Sequence, residues 1–262
     1  MSSHQNVLYP RAELFLSHRL LSVLSMCLFN GAHLMDETTK ILILVAGTNE
    51  PSNAHVLAES MAEGLCESQQ VTVKLVRLRD LKMAHFGLEC YGPDCPIDDL
   101  EKVRSELLSA DGVVIATPIW NFSVPAHLKN LIDRMGAFSL DPDSHSLGLL
   151  QGKPFYLIYT GGTPFTAWPL MKRTTSHVSV SLQYFGASIL GMHFEPRCTL
   201  GSGTFGLVVD KRPRSLAAVR RKGLAFLRSV QEFQRTGKLP LKYRLIRTFV
   251  RFAQVIKKKL GL

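Results

Sequence analysis

Three short, uninterrupted apolar runs constrain the fold of this chain more than any other feature: residues 41–46 (ILILVA), 112–117 (GVVIAT) and 154–160 (PFYLIYT). A run without polar alternation has no solvated face, so each is expected to be a strand covered on both sides, as in the middle of a parallel sheet. The segments between them carry a different period. Residues 53–66 place Leu57, Met61 and Leu65 four apart, a helical stripe. Residues 71–78 (VTVKLVRL) alternate, as a half-buried or edge strand does. A helix ending at Ser109 is expected to start at Asp98 or Asp99, where a carboxylate favours a helix N-terminus. Pro125 opens a further helix through Met135. A helix near 170–185, a strand near 187–193 and a helix over 216–235 complete the pattern, closed by Gly237 and Pro240. Strands and helices alternating at these lengths imply a doubly wound parallel α/β sheet.

The chain has 262 residues, 46% of them apolar, enough for one sizeable domain with extensions. Its organisation reads as a leader or extra helix over 1–35, a central domain over 36–237 and a basic amphipathic helix over 238–262. The net charge of +10 is unevenly distributed. Residues 211–262 hold 16 Lys and Arg against Glu232 alone, while 36–210 are mildly acidic. Attraction to acidic partners therefore belongs to the tail. Five cysteines (Cys27, Cys66, Cys90, Cys95 and Cys198) are an odd set, expected to be free thiols in a reducing cytoplasm. Residues 14–30 form an apolar stretch broken by His18 and Arg19, too short to span a membrane. They read as an extra leader ahead of a start at Met35, as a packed helix, or as an export signal.

In open parallel sheets ligands bind beyond the carboxyl ends of strands, where the winding reverses. Three loops fall there. The first holds Thr48, Asn49, Ser52 and Asn53, whose small polar side chains at a helix start suit a phosphate dianion. Its plainer reading is a strand-to-helix turn capped by Ser52 or Asn53. The second holds Pro118, Ile119, Trp120, Asn121 and Phe122, two aromatics in a Pro-bounded loop that suit a flat ring. There the plainer reading has Trp120 fold back into the core. The third is Thr160, Gly161, Gly162 and Thr163. Nothing resembles a Ser–His–Asp set, a P-loop or an H-E-x-x-H site, and no catalytic acid or base and no metal ligand is assigned.

The second loop and the helix after it, PIWNFSVPAHLKNLID over 118–133, resemble the P-x-Y-N-x-S-x-P-x-x-L-K-N-x-I-D segment of the flavodoxin-like NAD(P)H-dependent FMN reductases and quinone reductases. Azoreductases carry a similar segment. Residues 95–112 are also similar to the iron–sulfur flavoproteins, but those group four cysteines where this chain has Cys90 and Cys95, so no cluster is expected. The resemblance covers about residues 40–235. It implies a flavodoxin-like sheet of five parallel strands in the order 2-1-3-4-5, with helical extensions at both ends. It implies FMN as cofactor, NADPH or NADH as co-substrate, and ping-pong reduction of a small-molecule quinone, azo, metal-oxyanion or flavin acceptor. Thr48, Asn49, Ser52 and Asn53 would bind the FMN phosphate. Pro118, Ile119, Trp120, Asn121 and Phe122 would border the ring, and Thr160, Gly161, Gly162 and Thr163 would form the third wall. A cytoplasmic homo-oligomer is implied. Two departures stand out: Glu50 lies where relatives often place an arginine, and residues 164–169 (PFTAWP) are bulkier than usual. Alternatives are a flavodoxin-type electron carrier and a flavin-free binding module on the same fold.

The remaining signals carry less. Gly201-Ser202-Gly203-Thr204-Phe205-Gly206 satisfies G-x-G-x-x-G but opens no helix, the context that motif needs. His127, His177 and His193 have no partners at ligand spacing and read as structural. In 241–262, Leu241, Leu245, Phe249, Phe252, Ile256 and Leu260 form an apolar stripe on a basic helix. That helix suits an anionic membrane surface, the N-terminal segment or a second subunit; nucleic acid is not expected.

Overall fold

The computed structural model describes residues 38–201 and 205–260. The expected leader over 1–35 lies outside the described residues. Each apolar run is a strand. In chain order the strands are β1 (Thr39–Val45), β2 (Val71–Arg77), β3 (Gly112–Pro118), β4 (Pro154–Thr160) and β5 (Ser188–Glu195). Among the described residues they form one parallel sheet in the order β2-β1-β3-β4-β5, as expected. Ile41 sits opposite Val73 on one side and Gly112 on the other, which places β1 centrally.

The helices are α1 (Asn53–Leu65), α2 (Leu100–Ser109), α3 (Ala126–Ser139), α4 (Trp168–Thr174), α5 (Ser176–Tyr184), α6 (Pro213–Thr236) and α7 (Leu241–Leu260). The single helix expected near 170–185 is two. They break at Thr175, whose hydroxyl donates to the Met171 carbonyl at 2.7 Å. Alternate residues of β1 divide the core. Leu42 and Leu44 pack with α2, α3 and α5, while Ile41, Ile43 and Val45 pack with α1 and α6. Both sheet faces are thus covered, which is why the central strands carry no polar alternation.

On the second face α1 and α6 approach closely because both carry glycine at the crossing. A Cβ on Gly64 would stand 1.9 Å from the Arg220 carbonyl oxygen, and one on Gly223 2.5 Å from that of Met61. α6 ends at Gly237, whose φ of 63° makes a left-handed cap. The chain then turns at Pro240 into α7, which lies beside edge strand β5. Tyr243 Oη there donates to the Leu190 carbonyl at 2.8 Å. Among the described residues Cys90, Cys95 and Cys198 are free thiols, whereas Cys66 is disulfide-bonded, a correction to the expectation of five free cysteines. No described helix is long and apolar enough to cross a membrane.

Candidate functional site

β1 and β3 are neighbours, but the helices that follow them cover opposite faces, α1 on one and α3 on the other. Their outgoing loops therefore part, and a crevice opens between them. All three loops singled out in the sequence reach this cleft: Thr48, Asn49, Ser52 and Asn53 from the first, Pro118, Ile119 and Trp120 from the second, Thr160, Gly161 and Gly162 from the third.

The first loop is built around the start of α1. Ser52 is its N-cap, with φ −118° and ψ 122°, and its Oγ accepts from the His55 N–H at 3.3 Å. The opening N–H groups of α1 lack partners within the helix and form the positive end of its dipole. Gly47 keeps the floor open, since a Cβ there would stand 2.3 Å from Ser52 Oγ. Asn53 acts as a clamp: Nδ2 donates to the Gly206 carbonyl at 2.8 Å, and Oδ1 accepts from the N–H groups of Val208 and Val209 at 2.9 and 3.1 Å. Its side chain is thereby committed to the chain, which leaves its backbone N–H for a ligand. Glu50 does not stand as a bare negative charge. It pairs with Arg77 and with Arg79 at 3.2 Å, and Asp80 meets the same arginines at 3.5 and 3.7 Å. Two cations and two anions leave the corner neutral.

In the second loop Trp120 and Ser123 exchange backbone hydrogen bonds at 2.8 and 2.9 Å, closing a tight turn. Its central residues, Asn121 and Phe122, have φ of 49° and 64°. Asparagine tolerates this left-handed backbone; phenylalanine does so at a cost, which the closed turn sustains. The turn carries both residues to the tip, where Phe122 is 60% exposed. Neither lines the cleft, unlike Trp120, which does so instead of folding back into the core.

Gly161 in the third loop donates to the Glu195 carbonyl at 3.0 Å and accepts from the Cys198 N–H at 2.9 Å. It rests on Phe194, which would stand 3.0 Å from a Cβ at that position. Phe194 in turn stacks on Trp168 with centroids 4.8 Å apart and planes 8° from parallel. The bulky residues after the double glycine thus brace the loop, with Trp168 packed beneath it. Thr163 does not line the cleft; its Oγ1 is buried without a hydrogen-bond partner. Glu195, beneath the loop, is buried, but hydrogen bonds from His193, Arg212 and Ser215 hold its carboxyl below the ordinary value.

A fourth wall escaped sequence reasoning. Cys198, Thr199, Phe205 and Gly206 complete the cleft. The signal was present as the glycine-rich 201–206 segment, set aside because it opens no helix; its position just past β5, next to β4, would have revealed it. Burial and Glu195 push the Cys198 thiol up to about 12, so it stays protonated at neutral pH. His127, at the start of α3, is held below its ordinary value by burial and is neutral there too. Among the described residues, none of the side chains lining the cleft is therefore charged at neutral pH, and the chemistry they offer is binding and positioning.

The 118–133 segment lines this cleft with its first three residues, Pro118, Ile119 and Trp120, and residues 39–191 match the NADPH-dependent FMN reductase family. The chain belongs to that family. It is similar to an FMN-dependent NADH:quinone oxidoreductase of Nitratidesulfovibrio vulgaris, with 33% identity over 129 residues, 45% of this chain and 58% of that protein. It is similar also to an FMN reductase (NADPH) of Pseudomonas aeruginosa, 29% identical over 129 residues, 49% of this chain and 63% of that protein. The chain thus spans less than two thirds of these relatives. Among solved structures it shares its fold with an FMN-dependent NADH-azoreductase from Bacillus anthracis in complex with FMN. The TM-score is 0.57 at 16% identity, over 72% of this chain and all of that one.

Proposed function

We propose that this member of the family holds FMN in the cleft between β1 and β3 and catalyses NAD(P)H-dependent reduction of a small oxidised acceptor of the quinone, azo, metal-oxyanion or flavin class in ping-pong order. The observation that carries this reading is the cleft itself. Loops from β1, β3 and β4 converge at the point where the sheet's winding reverses, and the side chains that line it do not titrate near neutrality. Such a site binds and orients, and leaves electron transfer to the group it holds.

The residues present fit that group. The open N–H groups at the start of α1, with the hydroxyls of Thr48 and Ser52 and the amide of Asn49, would take the phosphate. Gly47 and Gly162 keep the floor open: a Cβ on Gly162 would stand 3.1 Å from Thr199 Cγ2. Pro118, Ile119 and Trp120 would border the ring on one side, and Thr160, Gly161 and Gly162 on the other. Asn121 and Phe122 would shape the mouth where the acceptor enters, with Thr163 supporting the third loop from behind. Bound there, FMN would supply two-electron redox chemistry between NAD(P)H and the acceptor, which these residues would orient against the ring. The exposed ring of Phe122 offers a neighbouring subunit a contact beside the mouth, consistent with a homo-oligomer.

The test is the visible spectrum of the purified protein before and after FMN is added. Flavin absorption near roughly 450 nm that bleaches anaerobically with NADPH is expected. A colourless protein that takes up no FMN would sink the reading.

A further inference from the structure

α7 is docked with its polar side inward. Gln254 is its one buried residue and donates from Nε2 to the Tyr184 carbonyl at 2.6 Å. Arg251 donates to the Gly148 carbonyl at 3.4 Å, and Lys258 meets Asp141 at 3.3 Å. The apolar stripe lies on the opposite side: Leu241, Leu245, Phe249, Phe252, Ile256 and Leu260 are 40–73% exposed. A surface helix ordinarily turns such a stripe to the core. Here hydrogen bonds and an ion pair hold it toward solvent.

The charges around the stripe select what can cover it. With 3.6 residues per turn, Lys242 and Lys259 stand at the two edges of the stripe, in line with Leu260 and Leu241, and Lys257 and Arg244 lie further out on the same two sides, all exposed. Residues 241–260 contain no Asp or Glu. Pairing two copies through this face would set cations against cations with no acid on the helix to answer them, which disfavours self-association. The far side of α7 is fastened along its length by Tyr243, Arg251, Gln254 and Lys258. A partner groove therefore cannot wrap it. What remains is a straight, raised apolar strip about 30 Å long, with cations on both flanks.

We propose that α7 is a membrane-surface anchor: its apolar stripe enters the acyl boundary of an anionic bilayer while the flanking cations meet lipid phosphates. This does not depend on the flavin reading. The chain lies on the membrane without crossing it.

The full chain, mixed with phosphatidylcholine vesicles with or without phosphatidylglycerol, is expected to sediment with the anionic vesicles and to be released by salt. Replacing Lys242, Lys257 and Lys259 with Gln should weaken partitioning about a hundredfold. Phe249→Gln with Phe252→Gln should abolish it, with circular dichroism and FMN uptake unchanged, because these side chains face solvent. Absence of binding to anionic vesicles overturns the proposal. So does a concentration-dependent dimer that the two Phe substitutions dissolve, which would make this face a contact between copies. Vesicle binding that appears only after residues 1–35 are removed also overturns it, by assigning the stripe to the N-terminal segment.

Discussion

Arg79 donates from Nη1 to the carbonyl of Thr48 at 2.9 Å, tying the turn after β2 to the loop after β1. The same nitrogen meets Glu50 at 3.2 Å, so one guanidinium both shapes the first loop and answers its carboxylate. The electrostatics of this corner lead directly to a prediction about cofactor affinity. Glu50→Gln leaves two arginines facing one carboxylate, Asp80, and so adds a net positive charge beside the proposed phosphate seat. FMN should bind about three- to tenfold more tightly at low salt, the size expected of an exposed, screened interaction. Arg79→Ala should weaken it by releasing the loop. Quenching of flavin fluorescence on titration checks both. Weaker binding by the Gln variant would mean that Glu50 is needed to hold the arginines in place.

Gly162→Val should give a protein with unchanged far-ultraviolet circular dichroism and no bound flavin. The added side chain would project from a Cβ already 3.1 Å from Thr199 Cγ2, between two walls of the cleft. Absorption after equilibration with excess FMN and gel filtration is the measurement. Full occupancy would move the cofactor elsewhere.

Gly64→Ala tests the α1–α6 crossing. Alanine gains about 1 kcal/mol over glycine in a helix interior. Against that stands a contact at 1.9 Å with the Arg220 carbonyl, a backbone atom that cannot swing aside. Overpacking of this kind costs about 1–3 kcal/mol, more where no side chain can yield. Urea denaturation should show a net loss of roughly 2 kcal/mol. A stabilised variant would show that the two helices separate easily.

Arg134 is 1% exposed and pairs with Asp98; it also donates to the carbonyls of Ala84 at 3.2 Å and Pro96 at 3.3 Å. Arg134→Met leaves Asp98 without its cation and should cost about 2–3 kcal/mol, less than breaking a fully buried pair, because Asp98 is only partly buried and keeps the N–H groups of Ala84 and Leu100. Burial opposes the charge on Asp98, but Arg134 and the N–H groups of Ala84 and Leu100 outweigh it and hold the carboxyl below its ordinary 3.8. The unfolded chain therefore takes up the proton first. The stabilisation from Asp98 is complete above about 3.8 and is lost as the pH falls through the lower folded value. Melting temperatures from pH 6 to pH 2 should fall less steeply in Asp98→Asn, measured from its own lower starting point. Parallel curves for the two proteins would refute the linkage.

Much of this architecture was legible because its signals are local. The strands at 41–46, 112–117 and 154–160 announce themselves because burial on both faces removes polar alternation within six or seven residues. The stripe of Leu57, Met61 and Leu65 marks α1 by its period alone. The loops at 47–53, 118–122 and 160–163 were found because ligand sites in such sheets follow strand ends. The fourth wall was missed for the complementary reason. Phe205 and Gly206 reach the cleft only because Asn53, 153 residues earlier in the chain, clamps the Gly206 carbonyl.

The sequence by itself determined the layered α/β class, the three loops that reach the cleft and, through one long segment, the family. Periodicity and composition within each short stretch suffice for these. The tertiary structure alone decided that Asn53 is a clamp, that Glu50 is neutralised by Arg77 and Arg79, and that Asn121 and Phe122 ride at the tip of a left-handed turn. It also decided that α7 turns its apolar side outward. Each of these depends on which distant groups the fold brings within hydrogen-bond or ion-pair reach, and no local pattern of residues carries that information.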